Sequence, residues 1–169
     1  MQAPLYKFFA DDHDRLEGLF EKAIADRARI DMERYNEFRT GLLRHIGMEE
    51  KILLPAAQKA GDGTRVSMAD KIRLDHGAIA ALLVPKPTPV IVNALRSILM
   101  KHNELEEQMG GMYEVCEQLT AGEQDALLDR LRSTPAVPTN PLMEPTRVLD
   151  ATKRALARAG HNLDDYDSR

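Results

Sequence analysis

His45 is followed four residues later by Glu49, and His102 four residues later by Glu106. On a helix, positions i and i+4 share a face one turn apart, so each HxxxE pair aims an imidazole nitrogen and a carboxylate oxygen at one volume. A single pair says little, because Glu is common on helices; two pairs on separate segments say more. Each histidine also stands where an apolar stripe calls for a hydrophobic residue. His13 lies between Tyr6 and Phe20, His45 between Phe38 and Ile52, His76 between Ala69 and Leu83, and His102 between Leu95 and Met109. Glu49 lies between Leu42 and Ala56, and Glu106 between Leu99 and Tyr113. Inward carboxylates and imidazoles without partners would cost several kcal/mol per ionised group. A pair of divalent metal ions removes that cost by turning deprotonated carboxylates and neutral imidazoles into ligands. Helical bundles with inward Glu and His hold two iron or manganese ions in this way, and the carboxylates are natural bridges.

Long amphipathic helices must position these side chains. Apolar spacing of three and four predicts helices over Leu5–Arg29, Met32–Lys59, Ser67–Leu83 and Val90–Leu119. Pro55 implies a kink near Lys51–Leu54, Gly61-Asp62-Gly63 a turn, and Ser67 an N-cap. Pro85-Lys86-Pro87-Thr88-Pro89 ends the third helix. The expected fold is all-α, an antiparallel up-and-down four-helix bundle over residues 1–119. Residues 120–169 form an extension. In it, Thr120-Ala121-Gly122-Glu123 reads as a capping box opening a short helix to Leu131, and Ser133–Pro145 as an extended linker. A last amphipathic helix, Thr146–Ala159, precedes a polar tail from Gly160 to Arg169. That helix is expected to dock or to form a homo-oligomer rather than to bind a membrane.

Composition excludes several classes. The chain has 169 residues with 23 Lys+Arg against 27 Asp+Glu, a formal charge of −4 and no basic cluster, so a nucleic-acid partner is not expected. Aromatics are 5% with no Trp, which favours helices over sheets. One cysteine, Cys116, excludes an internal disulfide and suits a reducing compartment. Met1-Gln2-Ala3-Pro4 opens no secretory pattern, and no apolar run approaches the roughly 20 residues of a membrane span. A cytoplasmic location without membrane association is the expectation.

The ordered set of ligand candidates resembles the hemerythrin-like family, the HHE cation-binding domain. Its carriers are Asp12-His13-Asp14-Arg15-Leu16, His45-Ile46-Gly47-Met48-Glu49-Glu50 running to Leu54-Pro55, Asp75-His76-Gly77-Ala78-Ile79 and His102-Asn103-Glu104-Leu105-Glu106-Glu107. The resemblance covers about residues 5–118. It implies two non-haem Fe ions bridged by Glu49, Glu106 and an oxo or hydroxo group, with His13 and His45 on one iron and His76 and His102 on the other. It also implies a small gaseous or peroxide ligand (dioxygen, nitric oxide or peroxide) for sensing, detoxification or storage. Oxygen-carrying hemerythrins place two His four apart on the third helix, whereas Ala80 follows His76 here and Ile72 precedes it. The resulting four-His, two-Glu set resembles that of iron–sulfur cluster repair proteins, whose separate cysteine-bearing N-terminal domain is not expected here. Iron delivery in cluster repair and plain cation storage are the alternative functions.

The missing histidine implies an open coordination position, which Tyr113, Tyr6 or Glu17 are placed by stripe position to fill. Glu17, at i+4 from His13, is expected to be solvated or to support a ligand rather than to bind metal. Cys116 is expected to be a buried structural thiol and Met48, Met100, Met109 and Met112 core filler, with a redox sensor and a gas pocket as the sharper readings. His161, with Asp165 at i+4, is expected to be incidental.

Overall fold

Helix follows helix in the computed structural model, which describes residues 3–26, 28–61, 66 and 68–167. The helices are α1 (Pro4–Ala23), α2 (Met32–Met48), a π-helical turn (Glu49–Leu53), α3 (Leu54–Ala60), α4 (Ala69–Leu82), α5 (Pro89–Glu107), α6 (Met112–Leu119), α7 (Gln124–Arg132), α8 (Pro145–Arg158) and a 3₁₀ turn (Leu163–Tyr166). The all-α class read from the sequence is therefore the observed one. The only extended pairing among the described residues is an isolated bridge between Pro85 and Met143. None of the helices is long and apolar enough to cross a membrane.

The chain divides into two compact units, one comprising Met1–Ala69 with Leu105–Thr139, the other Asp70–Glu104 with Asn140–Arg169. In the first, α1 packs on α2, α6 and α7, and α7 also meets the π turn. Its core includes Phe9, Leu16, Phe20, Tyr35, Phe38, Leu42, Leu53 and Tyr113, all buried. The Phe20 and Phe38 rings lie 4.7 Å apart. A buried carboxylate starts α1: Glu117 accepts hydrogen bonds from the backbone N–H of Leu5 at 2.7 Å and Tyr6 at 2.9 Å. This satisfies donors that the first helical turn leaves open. In the second unit, buried Ile72, Ile79, Leu82, Ile91, Leu95, Ile98, Leu156 and Leu163 form the apolar interior. There the Thr152 hydroxyl of α8 donates to the Ala81 carbonyl at 3.4 Å, and the Asn93 amide of α5 to the Tyr166 carbonyl at 3.2 Å.

The kink expected near Lys51–Leu54 is the π turn Glu49–Leu53. Pro55 has no N–H, and its ring would strike the Lys51 carbonyl of a regular helix; the wider turn relieves both problems. The first helix stops at Ala23, short of Arg29, where Ile24 bonds back to the Phe20 carbonyl. The Asp26 carboxylate then accepts from the Ala28 N–H, and the Asp31 side chain caps α2.

The long fourth helix is two. Gly110 adopts φ +73°, and Gly111 has no room for a Cβ, which would lie 2.6 Å from the Glu106 carbonyl oxygen. α5 therefore ends at Glu107, and α6 restarts at Met112.

The capping box at Thr120–Glu123 does not form. The Thr120 hydroxyl turns back to the Cys116 carbonyl at 2.8 Å, and α7 starts at Gln124 without a side-chain cap. Gly61 ends α3, while Asp62, Gly63 and the expected N-cap Ser67 lie outside the described residues. The polar tail is partly structured: Leu163 and Tyr166 are buried.

Candidate metal centre

Helix geometry makes the first unit's site. α1 carries His13 on its buried stripe with Phe9 and Leu16. α2 carries His45, and Glu49 opens the π turn immediately beyond it, still one turn from His45. The last turn of α5 supplies Glu106, and α6 supplies Tyr113. His13, His45, Glu49 and Glu106 are all buried and each offers a ligand atom within 4.8 Å of the others. His45 Nε2 lies 3.3 Å from Glu49 Oε1, and His13 Nε2 3.4 Å from Glu106 Oε2. The two imidazole centroids are 4.5 Å apart.

Each imidazole is oriented from behind. His45 Nδ1 meets Asp12 Oδ2 at 2.9 Å, and His13 Nδ1 meets Glu107 Oε1 at 2.5 Å. Carboxylates on the outer ring nitrogen fix the tautomer and direct Nε2 inward, which is how ligand histidines are held. The sequence flagged neither Asp12 nor Glu107. A faint signal exists in the repeated Asp-His dipeptides, Asp12-His13 and Asp75-His76. Neighbours in a helix do not face each other, however, and Asp12 serves His45 on α2 rather than His13.

Electrostatics follow from the packing. Burial opposes charge on His45, but Glu49 and Asp12 outweigh it and raise its pKa to about 9. Burial likewise opposes charge on His13, where Glu106 and Glu107 prevail and raise it. Asp12 is drawn down to about 2, burial notwithstanding, by hydrogen bonds from His45 and Arg15. Without a cation the carboxylates thus favour the protonated form of both imidazoles. Imidazole and carboxylate, with no thiolate among them, form a donor set suited to a divalent first-row metal, which would take the place of the protons.

Tyr113 reaches into the same volume. Its hydroxyl donates to Glu49 Oε1 at 2.6 Å and lies 3.1 Å from Glu106 Oε2, 3.1 Å from His13 Nε2 and 3.2 Å from His45 Nε2. Burial, then the charges of Glu106 and Glu49, push this phenol well above its ordinary pKa. The other two gap-filling candidates lie elsewhere. The Tyr6 hydroxyl donates to the Glu107 backbone carbonyl at 3.0 Å, and Glu17 is exposed.

In the second unit His76 and His102 are buried with ring centroids 4.8 Å apart. Asp75 Oδ2 is 3.7 Å from His102 Nδ1, while its Oδ1 pairs with Lys71 and lies 3.5 Å from His161 Nε2. Against the effect of burial, His102 and Lys71 lower Asp75 to about 2. His161 is accordingly tied to Asp75 and, at 3.3 Å, to the Tyr166 hydroxyl rather than lying in a free tail.

The family model of the hemerythrin HHE cation-binding domain matches residues 5–109. The chain belongs to this family. No curated protein and no solved structure matches it. As a member of the HHE family it is a cation-binding helical protein, and the buried His–Glu cluster is where the first unit has the donors for a cation. Two neighbouring features fall outside that role. Cys116 is buried, and burial followed by the charges of Glu49 and Glu106 pushes its thiol up to about 12. Met48 and Met112 are buried as core filler, whereas Met100 and Met109 are exposed.

Proposed function

We propose that this HHE protein is a non-haem diiron protein that binds a small ligand, dioxygen, nitric oxide or peroxide. His13 and His45 hold one iron, His76 and His102 the other, and Glu49 and Glu106 are shared. The observation that supports this best is the buried convergence of His13, His45, Glu49 and Glu106, with a carboxylate behind each imidazole. The pairing of His76 and His102 with the same two glutamates rests on the HxxxE spacing and on family membership. Iron, when bound, supplies a redox-active centre that coordinates small ligands. The chain's own residues hold that centre in a water-poor interior, and Asp12 and Glu107 keep the imidazoles aimed and basic. Only one histidine stands on α4 at the family's third-helix position, with Ile72 and Ala80 at the flanking i−4 and i+4 positions. One fewer protein ligand leaves room for exchange, which suits reaction or sensing better than oxygen storage.

Metal analysis with an anaerobic titration tests this. The expected result is about two irons per chain, each set by the four-His, two-Glu donor set, and a spectrum of the reduced protein that changes on adding nitric oxide or dioxygen. One tightly held metal per chain would overturn the diiron reading. Two metals with a spectrum indifferent to both gases would leave a cation store.

A further inference from the structure

The residue that the donor-set pattern does not name is the one closest to all four donors. The Tyr113 oxygen lies within 3.2 Å of a nitrogen on both His13 and His45 and of an oxygen on both Glu49 and Glu106. Its ring is fixed there by construction. Phe9 stacks on it at 5.0 Å and 15°, and Tyr6 meets it edge-on at 6.1 Å. The Gly110–Gly111 break that ends α5 and restarts α6 carries Tyr113 to this position. A Phe would satisfy the ring contacts equally well, so the hydroxyl needs its own reason.

We propose that Tyr113 is a metal ligand, its phenolate oxygen completing the coordination of the metal held by His13 and His45. The proposal rests on the metal reading above and extends it. It adds a hard, anionic oxygen donor to the metal of His13 and His45, whereas the histidine absent beside His76 belongs to the other metal. Binding breaks the phenol O–H bond and forms an oxygen–metal bond. The proton leaves to solvent, and no electron is transferred. A phenolate donor stabilises the ferric state and biases the site against simple reversible oxygen carriage.

The test uses the full chain loaded with ferric iron, its iron content measured, and visible absorption and resonance Raman spectra recorded. The expected result is a tyrosinate-to-iron charge-transfer band with enhanced tyrosine ring modes that shift when the protein is made with ring-deuterated tyrosine. Tyr113→Phe should keep its iron and lose the band and the modes, while Tyr6→Phe keeps both. The chain has four tyrosines, so Tyr35→Phe and Tyr166→Phe complete the assignment without the Tyr113 variant should that one not fold. Iron-loaded protein without tyrosine modes, or modes that survive in Tyr113→Phe or vanish in another variant, would overturn the proposal. Absence of iron uptake would overturn the metal reading itself, so the two failures are distinguishable.

Discussion

The two units carry the same written motif and furnish it differently. Each has an Asp-His dipeptide on one helix, Asp12-His13 or Asp75-His76, and a second His on another, His45 or His102, although the glutamates four residues on, Glu49 and Glu106, both belong to the first unit. In the first unit Asp12 lies 2.9 Å from His45, and His13 has Glu107 of its own. In the second, Asp75 is 3.7 Å from His102 and divides its two oxygens among His102, Lys71 and His161. The imidazole planes also differ, tilted by 34° in the first pair and by 68° in the second. Asp12 thus divides its oxygens between His45 and Arg15, while Asp75 divides its own among His102, Lys71 and His161 of the C-terminal segment. A ligand motif repeated in sequence can be held by carboxylates with different further partners, and affinity depends on such support.

The most severe way to break this comparison removes ligands. On the proposed diiron site, His45→Ala and His102→Ala should each lower iron from about two to about one per chain, because each would delete one of two histidines on a single metal. Glu49→Ala and Glu106→Ala should empty both positions if, as proposed, each carboxylate is shared. Metal content measured after gel filtration distinguishes these patterns. If Glu49→Ala costs only one metal, the carboxylate is not shared.

Next in size are the carboxylates behind the histidines. Asp12→Asn should weaken binding of one metal by about 10–100-fold, the usual loss when a ligand histidine loses its orienting partner. Asp75→Asn should weaken binding less, but should release Lys71 and His161 and raise hydrogen exchange in Leu163–Tyr166. Chelator competition and exchange mass spectrometry read the two effects separately. Equal losses of affinity in both variants would show that the longer Asp75 contact supports its histidine equally well.

The first unit's pair also carries a pH signature. His45 in the metal-free protein titrates at about 9, above the ordinary 6.5. Its contribution to stability is complete below pH 6.5 and is lost as pH rises through about 9. Asp12, lowered to about 2, contributes above its ordinary value and loses that contribution as pH falls through about 2. With metal bound, His45 carries no proton on its ligand nitrogen, so the loss between 6.5 and 9 disappears. The gap in Tm between loaded and metal-free protein should therefore widen from pH 6.5 to 9, while loading at pH 7 releases protons, the His45 proton among them, measurable by calorimetry in two buffers. A constant gap across that range would separate His45 from the metal.

How much of this was legible in the sequence depends on the range of the interaction. The all-α class and the inward stripes with His13, His45, Glu49 and Glu106 follow from helical period, a local property. Pro55 announced the irregular turn because its cause is covalent. The break at Gly110–Gly111 was equally written in the chain but was overridden by the apolar spacing that runs on to Cys116. What stayed hidden needed tertiary packing. Asp12 faces His45 across two helices, Glu117 of α6 caps α1, and His161 reaches Asp75 from the far end of the chain. No period within a helix encodes such meetings. Tyr113 was visible only as one of three side chains near a gap, and the hydroxyl distances single it out.

The smallest expected effect sharpens the comparison through two glycines beside the ligands, Gly47 two residues after His45 and Gly77 next to His76. Both have negative φ, and a Cβ at either would meet nothing within 4 Å. Gly in a helix interior costs roughly 0.5–1 kcal/mol relative to Ala, so neither glycine is required by backbone shape or by space. Gly77, exposed within α4, should return nearly all of that as stability in Gly77→Ala. Gly47 is half-buried at the junction of α2 with the π turn, where helix propensity counts for less, and Gly47→Ala should return less. Thermal melts of the two metal-free variants measure the difference, and iron content should be unchanged in both. If Gly47→Ala instead destabilises the protein or lowers iron binding, the π turn after His45 needs freedom that this structure does not display, and the first unit's pair is also the more mobile one.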